Sequence, residues 1–504
     1  MAPGGDHVNR PGSLLVTNGE VGGQPGLDVR VSTGLIRGVG PGLARHPGEA
    51  VLDAAGGAVI PGLHDHHVHL RALTARRVCL DVSGAPGPQA FDHALTDAAG
   101  KLEPGRTLRV TGWSEHSAGE LDRVRLDTLT GSVPARVQHR SGAMWVLNSA
   151  ALRLAGVADS GHEGIERDDR GEPTGRLLRM DGWLRERLPA GLPENWFAAG
   201  LASFAQQSAR RGITGFTDAT PDRDQGDVDD FEALAARGIV MQRLTLMAPP
   251  GLREPAQAGM ARVRLGPQKI IMDDAALPDP AELTDRVRQA HHRDSRVAIH
   301  CVTAEQLIVA VEALEAAGTT RSAGPPGPPR SAGPAALARP AGDRIEHAGV
   351  VPPGYAVRLA RLGVAVVTQP GFVAARGDDY LRGVCPPERD WLYPCASLIR
   401  AGVPVAAGTD APFGPSDPWH CVASAIARRT PAGVVLGPDE RVSARRALSM
   451  FTAAAHDPAQ ARTVAPGQPG DLCVLRAPLR TVLAAPAAGW VRATIIGGCV
   501  FPAS

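Results

Sequence analysis

The sequence predicts an α/β protein built on parallel strands and flanking helices, and two observations support this prediction. Between about residues 60 and 455, short apolar runs alternate with amphipathic segments of helical period, which is typical of a parallel sheet. Both chain ends differ, because residues 14–59 and 465–501 contain short β-like runs separated by Gly/Pro turns. We therefore expect a (β/α)8 TIM-like barrel with a small β-sandwich formed by the two ends.

Ten candidate strands lie in the middle of the chain, two more than a TIM barrel requires. They fall near residues 60–67, 107–112, 135–140, 214–219, 240–247, 268–273, 296–301, 343–347, 364–369 and 403–409. We assign the two additional strands to an insertion at about 71–190, in which 157–185 has the character of a lid. The expected domains are residues 1–60 and 456–504 for the sandwich and 61–455 for the barrel, with a flexible Pro/Gly/Ala-rich loop at about 318–342.

Composition excludes several classes of protein. The chain has 504 residues and a formal net charge of +1, which offers no basic surface for nucleic acid. The sequence contains no apolar run of the length that a membrane helix needs, and the polar N-terminal stretch lacks the apolar core of a signal peptide. The seven cysteines are scattered without a CxxC pair, which favours reduced thiols and a cytoplasmic location.

Residues 60–70 hold four of the sixteen histidines of the chain. An apolar run leads through Pro61-Gly62 into the histidines, which indicates a buried strand that enters polar surroundings. Residues two apart project from the same face of a strand, so that His67 and His69 point one way and His64 and His66 the other. Two imidazoles side by side at a strand end form half of a metal site; the alternative is a His-rich surface loop.

Other strand ends also carry polar side chains of a chemically useful type. His300 and His347 each close an apolar strand, and Asp410 directly follows another. Lys269 lies on a strand and is one of only two lysines among the 53 basic residues, so that a role which arginine cannot fill is indicated. Because functional groups of a parallel barrel collect at the carboxyl ends of its strands, these side chains are expected to converge with His67 and His69.

With these residues, the sequence resembles the amidohydrolase superfamily and, more narrowly, amidohydrolase family 3, the branch that includes N-substituted formamide deformylase. The resemblance covers nearly the whole chain. Further motifs that support it are Gly112-Trp113, Asn148-Ser149, Gly171 to Gly175, Gly212 to Thr214, Glu346-His347-Ala348, Gln369-Pro370, Gly408 to Pro412 and Pro466-Gly467.

The resemblance implies a hydrolase with one or two divalent ions, usually zinc. His67, His69 and Asp410 would hold the first ion, and His300 and His347 the second. Lys269 would bridge them as a carbamate formed with carbon dioxide; the alternative for this lysine is a salt bridge to Asp273 or Asp274. Metal-activated hydroxide would attack the carbonyl carbon, and Asp410 would pass a proton to the leaving nitrogen as the catalytic residue.

Candidate substrate-binding residues are Trp113, His139, Trp145, Arg376, Tyr380 and Trp419. The tryptophans could equally be core residues, and arginines such as Arg376, in the expected loop 371–390, are often solvated surface charges. Members of the family often carry Asp-Gly-His shortly before Asn-Ser, where this sequence has Ser141-Gly142-Ala143. If that histidine contacts substrate, the pocket differs here, or His139 or His116 replaces it.

The favoured function is therefore hydrolysis of a C–N bond, in an amide or formamide of a small organic molecule. Deamination of a heterocycle, or hydrolysis of a carbamate, lactone or ester, is the alternative within the superfamily. A non-catalytic homologue that uses the barrel as a binding module is a hypothesis of a different class, and retention of the complete ligand set argues against it. The expected partner is a small-molecule substrate, and a homodimer is an expectation from the resemblance alone.

Overall fold

The computed structural model describes residues 13–188, 192, 195–255, 262–272, 277–318 and 342–503. The expected flexible loop at 318–342 lies almost entirely outside the described residues, as do Asp273 and Asp274. The chain divides into two compact units. The main unit comprises residues 1–69 and 202–504, and the insertion unit comprises residues 70–201.

The described chain begins with six strands of the main unit. They are β1 (Ser13–Val21), β2 (Gln24–Ser32), β3 (Leu35–Gly40), β4 (Ala50–Asp53), β5 (Val59–Pro61) and β6 (Leu63–Val68). The first four form a sheet in the order β3-β2-β1-β4. Alternating apolar residues such as Leu14 and Val16 bury one face of this sheet, as the two-residue period of a strand requires. Strand β6, by contrast, is buried at every position.

The insertion unit is built around a six-stranded sheet in the order β11-β12-β10-β9-β8-β7. Its elements are α1 (Leu70–Arg76), β7 (Leu80–Asp81), α2 (Pro88–Lys101), β8 (Leu108–Trp113), α3 (Glu115–Ala118), α4 (Arg123–Thr130), β9 (Ala135–His139), β10 (Met144–Leu147), α5 (Ser149–Ala155), β11 (Ile165–Arg167), β12 (Pro173–Leu178) and α6 (Asp181–Arg187). The stretch 157–185 thus contributes two strands and a helix to this sheet unit, and two hydrophobic clusters stabilise it.

The main unit continues with parallel strands and intervening helices. They are α7 (Trp196–Arg210), which begins in the insertion unit, β13 (Ile213–Asp218), α8 (Gln225–Ala236), β14 (Arg243–Met247), β15 (Val263–Gly266), β16 (Gln268–Ile270), α9 (Pro280–His292), β17 (Val297–Cys301), α10 (Ala304–Ala317), β18 (Arg344–His347), α11 (Tyr355–Leu362), β19 (Ala365–Thr368), α12 (Gly371–Gly383), α13 (Pro386–Arg389), α14 (Ala396–Arg400), β20 (Val405–Ala407), α15 (Pro418–Ala427) and α16 (Ala444–Thr452). Asp and Thr side chains cap several of these helices, as Thr303 does for α10.

These strands form two parallel sheets, β15-β14-β13-β6 and β16-β17-β18-β19-β20. Only Pro267 separates β15 from β16 in the chain. Beyond the carboxyl end of β20, the Asp410 N–H donates to the His67 carbonyl at 2.7 Å, and the His69 N–H donates to the Ala411 carbonyl at 2.9 Å. Backbone hydrogen bonds therefore join the segment after β20 to the end of β6.

The chain ends with β21 (Ala453–Ala454), β22 (Asp457–Ala461), β23 (Leu472–Leu475), α17 (Leu479–Ala484), β24 (Val491–Ile496) and β25 (Cys499–Pro502). Three of these strands join β5 in the sheet β25-β24-β23-β5. Val474 and Ile495 of this sheet share one hydrophobic cluster with Val16 and Val29 of the N-terminal sheet. Both chain ends thus contribute to a common core.

No helix among the described residues is long and apolar enough to cross a membrane.

Candidate metal centre

The candidate centre lies where β6 and β20 end. His67 is the last residue but one of β6. His69 follows the end of β6 by one residue, and Asp410 follows the end of β20 by three residues. Gly408 permits this close approach, because a Cβ atom at that position would lie 2.4 Å from the Cβ of His67. Asp410 itself adopts a left-handed backbone conformation with φ of 53°, which is uncommon outside glycine.

The structure brings His67, His69 and Asp410 together as a group, which we call the first group. One possible ligand atom from each of them lies within 4.8 Å of the other two. The Asp410 Oδ1 atom is 3.6 Å from the Nε2 of His67 and 3.2 Å from the Nε2 of His69. Two imidazole nitrogens and a carboxylate oxygen converging on one point form a donor set suited to zinc.

Glu346 lies behind His67 and accepts a hydrogen bond from its Nδ1. Both oxygens of this carboxylate also accept hydrogen bonds from the guanidinium of Arg344, Oε1 from Nε and Oε2 from Nη2 at 3.1 Å. All three side chains are buried. Because the pKa of Glu346 is lowered, the charges of Arg344 and Lys269 outweighing the effect of burial, the carboxylate is ionised and fixes the proton of His67 on Nδ1.

Asp65 connects the end of β6 to the segment after β20 by hydrogen bonds. Its carboxylate accepts the Thr409 N–H at 2.9 Å, the Thr409 hydroxyl, and the His67 N–H at 3.3 Å. Burial raises the pKa of Asp65 to about 7, against the opposing effect of these hydrogen bonds. This arrangement fixes the backbone on either side of Asp410 relative to His67.

His300 and His347 lie beside each other, and the charge of Lys269 acts on His347. We call these three residues the second group. The rings of His300 and His347 lie 4.4 Å apart between centroids, and the rings of His347 and His67 lie 4.7 Å apart. His347 donates from Nδ1 to the Gln369 Oε1 atom at 2.7 Å, which leaves Nε2 as its unprotonated nitrogen.

The backbone explains how two successive residues of β18 both approach His67. Neighbouring residues of a strand normally point to opposite faces. His347, however, has φ of 72°, and this left-handed conformation takes its side chain out of the alternation. Glu346 therefore contacts His67 from within the strand, and the His347 ring approaches the same histidine from the last residue of the strand.

The electrostatics of the centre favour a bound cation. Burial lowers the pKa of His67 well below its ordinary value and that of His347 to about 3, so that both rings are neutral and can donate lone pairs. Burial raises the pKa of Asp410, but the neighbouring His69 and the positive charge of Lys269 outweigh it, and the net pKa is lowered. A neutral His67 ring beside an ionised Asp410 carboxylate is the protonation state that metal binding requires.

Lys269 is buried, and its Nζ atom has no hydrogen-bond partner among the residues that the structure describes. The same holds for the Nε2 atom of His67 within that part of the chain. Burial lowers the pKa of Lys269 to about 8, although Glu346 and Asp410 oppose this shift. Buried polar atoms without a partner are unfavourable, and a metal ion with its ligands would satisfy them. The residues present therefore fit a metal centre.

The substrate-binding candidates are distributed over both units. Within the insertion unit, the buried Trp113 and Trp145 donate their indole N–H groups to the Gly119 carbonyl and to Asp181, and His139 lies 3.0 Å from a Glu115 oxygen. In the main unit, Trp419 is fully buried and donates to the Arg211 carbonyl at 2.9 Å. All three tryptophans are thus buried, as core residues are, and their role in substrate binding stays a prediction.

The predicted loop at 371–390 is wrong, because α12 and α13 occupy most of this stretch. Arg376 of α12 donates to the Phe413 carbonyl and lies over the Phe372 ring, 4.5 Å from its centroid. The hydroxyl of Tyr380 donates to that of Tyr393 at 3.4 Å. Because the ring of Phe413 lies 5.4 Å from that of His69, Arg376 connects α12 to a neighbour of the first group.

The predicted site did not include the residues that support the ligands, which are Asp65, Arg344, Glu346 and Gln369. A signal was present for two of them. Arg344 and Glu346 alternate with apolar residues in a buried strand, and charged side chains are almost never fully buried unless they are paired. Their partner, His67, is 279 residues from Glu346 in sequence, so that only the folded chain reveals the pairing.

The model of the amidohydrolase family matches residues 50–501 of the chain. N-substituted formamide deformylase of Arthrobacter pascens is 27% identical over 456 residues, which covers 81% of each protein. The amidohydrolase YtcJ of Bacillus subtilis is 23% identical over 414 residues and 74% of each protein.

Among solved structures, a metal-dependent hydrolase of Pyrococcus horikoshii is similar to this chain. The TM-score is 0.66 at 19% identity, and the match covers 91% of this chain and 96% of the other. A metal-dependent hydrolase of Pyrococcus furiosus gives a TM-score of 0.65 at 18% identity, with 91% of this chain and 97% of the other covered. At this level of identity the likeness concerns the fold.

Proposed function

The chain belongs to the amidohydrolase family, and on this premise we propose that it is a metal-dependent hydrolase of small organic molecules. The bond cleaved is the C–N bond of an amide or formamide. The observation that carries the proposal is the convergence of His67, His69 and Asp410, with ligand atoms within 4.8 Å of one another. The relation to N-substituted formamide deformylase over 81% of the chain supports the choice of bond.

We propose that the first group holds one divalent ion, with zinc favoured by its nitrogen and oxygen donors. When bound, such an ion lowers the pKa of its water to about 7 and polarises the substrate carbonyl. Asp410 then accepts the proton of the attacking water, since its lowered pKa leaves it ionised at neutral pH. The protonated Asp410 donates to the leaving nitrogen, which departs as a neutral amine.

We further propose that Lys269 becomes a carbamate and binds a second ion together with His300 and His347. A pKa of about 8 leaves an appreciable fraction of the amine neutral near pH 7. The neutral amine adds to carbon dioxide with release of one proton, and the product carries an anionic carboxylate on a buried nitrogen. Arginine cannot form this group, which accounts for a lysine at this position in a chain with only two lysines among 53 basic residues.

The parallel strands are proposed to close into one eight-stranded barrel, with β15 and β16 counted as one interrupted strand. The hydrogen bonds that join the segment after β20 to β6 support closure. In such a barrel the carboxyl ends of the strands form the site, and the histidines of both groups and Asp410 lie at or near these ends.

The test is metal content and turnover of the purified protein. Elemental analysis should give one to two ions per chain, roughly as in other metal hydrolases, and a panel of N-formyl and N-acyl amines should be hydrolysed. A chelator should abolish turnover, and added zinc should restore it, which controls for irreversible unfolding.

A protein that neither retains metal nor binds it on addition would contradict the proposal. Turnover of esters, lactones, carbamates or amino-heterocycles without turnover of amides would retain metal-dependent hydrolysis and reassign the bond. Metal without turnover of any of these compounds would favour a binding protein.

A further inference from the structure

Behind the first group, three side chains form a connected series of hydrogen bonds from Arg344 through Glu346 to His67. We propose that Glu346, held in place by Arg344, is the positioning residue for His67 and sets the strength with which the first group binds its metal. The inference rests on the proposed metal centre. It concerns a residue that touches neither substrate nor metal and acts through the imidazole.

Both oxygens of Glu346 accept hydrogen bonds from protein groups, which occupy three of its roughly four lone-pair sites. Oε1 receives Arg344 Nε, and Oε2 receives both Arg344 Nη2 and His67 Nδ1. The side chain has no exposed surface. Because a carboxylate without exposed surface cannot reach substrate, we assign its function to His67.

Arg344 fixes the position of the carboxylate through the strand itself. The two residues are two apart on β18 and therefore project from the same face. The Nη2 atom also donates to the His66 carbonyl at 2.8 Å, so that the guanidinium bridges β18 and β6. Because these hydrogen bonds fix the planar guanidinium, the guanidinium holds the carboxylate of Glu346 in a single orientation.

The consequence for His67 is both geometric and electronic. The carboxylate holds the proton on Nδ1, so that the lone pair is on Nε2, which lies 3.6 Å from Asp410 Oδ1. A carboxylate behind the ring also makes the imidazole a stronger donor, and loss of such a partner typically weakens metal binding about 10- to 100-fold.

The chain provides a matched control in the N-terminal sheet. Glu49 is also a buried glutamate, and Arg30 donates to it from Nε at 2.8 Å and from Nη2 at 3.1 Å. Its other partners are the Ser13 hydroxyl and the His46 N–H, and no member of either group contacts it in the described chain. Glu49→Gln therefore removes the same charge from the same kind of pair without touching His67.

The experiment measures zinc affinity by competition with a chromophoric chelator for the wild type and for Glu346→Gln, Arg344→Lys and Glu49→Gln. We expect zinc to bind about 10- to 100-fold more weakly to Glu346→Gln. A smaller weakening is expected for Arg344→Lys, which keeps the charge and loses the planar fork. Glu49→Gln should bind zinc as the wild type does. At saturating zinc, KM should change little in all variants, because Glu346 does not contact substrate.

Three results would overturn the inference. One is wild-type zinc affinity in a folded Glu346→Gln protein, and another is an equal loss of affinity in Glu49→Gln. The third is a large rise of KM in Glu346→Gln at saturating zinc, which would make Glu346 a substrate residue. If Glu346→Gln does not fold, Arg344→Lys and the conservative Glu346→Asp carry the test, with thermal denaturation of the metal-free proteins as the measure of folding. A wild type that binds no zinc would refute the metal centre itself.

Discussion

The two groups of the centre differ in the side chain that supports their histidines. In the first group, the Nδ1 of His67 donates to the carboxylate of Glu346, and Asp410 adds a second negative charge. In the second group, the Nδ1 of His347 donates to the neutral amide of Gln369. A divalent ion is stabilised by negative charge around it, so that the first group is ready to bind a cation, whereas the second depends on a charge that Lys269 would acquire.

The largest effect is expected for Asp410→Asn, which removes the only acidic member of the first group. The amide still fits the space but neither accepts a proton nor carries charge. Turnover should fall by about 10³-fold or more, as for loss of a general acid/base, and metal content should decrease. The measurement is kcat/KM with elemental analysis of the same sample; activity within a few-fold of wild type would remove Asp410 from the mechanism.

Lys269→Arg tests whether the second group needs the carbamate. The guanidinium keeps the positive charge and cannot react with carbon dioxide, so that zinc content should fall from roughly two ions to one, with the first group retained. Mass spectrometry of the native wild type should show an added 44 Da, within about 1 Da, which acid removes. Equal zinc content in wild type and Lys269→Arg would leave a centre with one ion and make Lys269 a structural or substrate residue.

Exchange of the supporting group at position 369 addresses the comparison directly. Gln369→Leu removes the acceptor for His347 Nδ1 at similar volume and should weaken binding of the second ion about 10-fold. Gln369→Glu gives the second group a carboxylate like that behind His67 and should strengthen it. Stepwise zinc titration distinguishes the two ions, and identical titrations for both variants would show that the support of His347 does not influence metal binding.

The smallest effect on the centre is expected for Glu49→Gln, which lies in neither group. The hydrogen bond from Arg30 lowers the pKa of Glu49 to about 2, from an ordinary value of 4.5. Because the folded pKa is the lower one, the carboxylate stabilises the fold fully above about pH 5 and loses this effect as the pH falls toward 2.

The measurement for this variant is urea unfolding at several pH values. Glu49→Gln should be less stable than wild type at pH 6, and the difference should shrink as the pH approaches 2. A difference that is constant with pH would show that the pair contributes through packing and not through charge.

The sequence by itself determined the chemical types at the strand ends. The apolar approach to His67 and His69, and the strands that end at His300, His347 and Asp410, follow from local hydrophobic pattern. Family resemblance then supplied the expected ligand set. The helices 280–292 and 304–317 were likewise predictable, because periodicity and capping are local.

Tertiary structure decided how these groups are supported. The roles of Glu346 and Gln369 are visible only from their hydrogen bonds to histidines. The role of Asp65 is visible only from its contact with Thr409, which is 344 residues away in sequence. It also decided that residues 371–383 form a helix and that the insertion unit folds around its own six-stranded sheet. Local pattern records which side chains are buried, but the partner of a buried charge depends on which distant strands become neighbours, and that is fixed by packing of the whole chain.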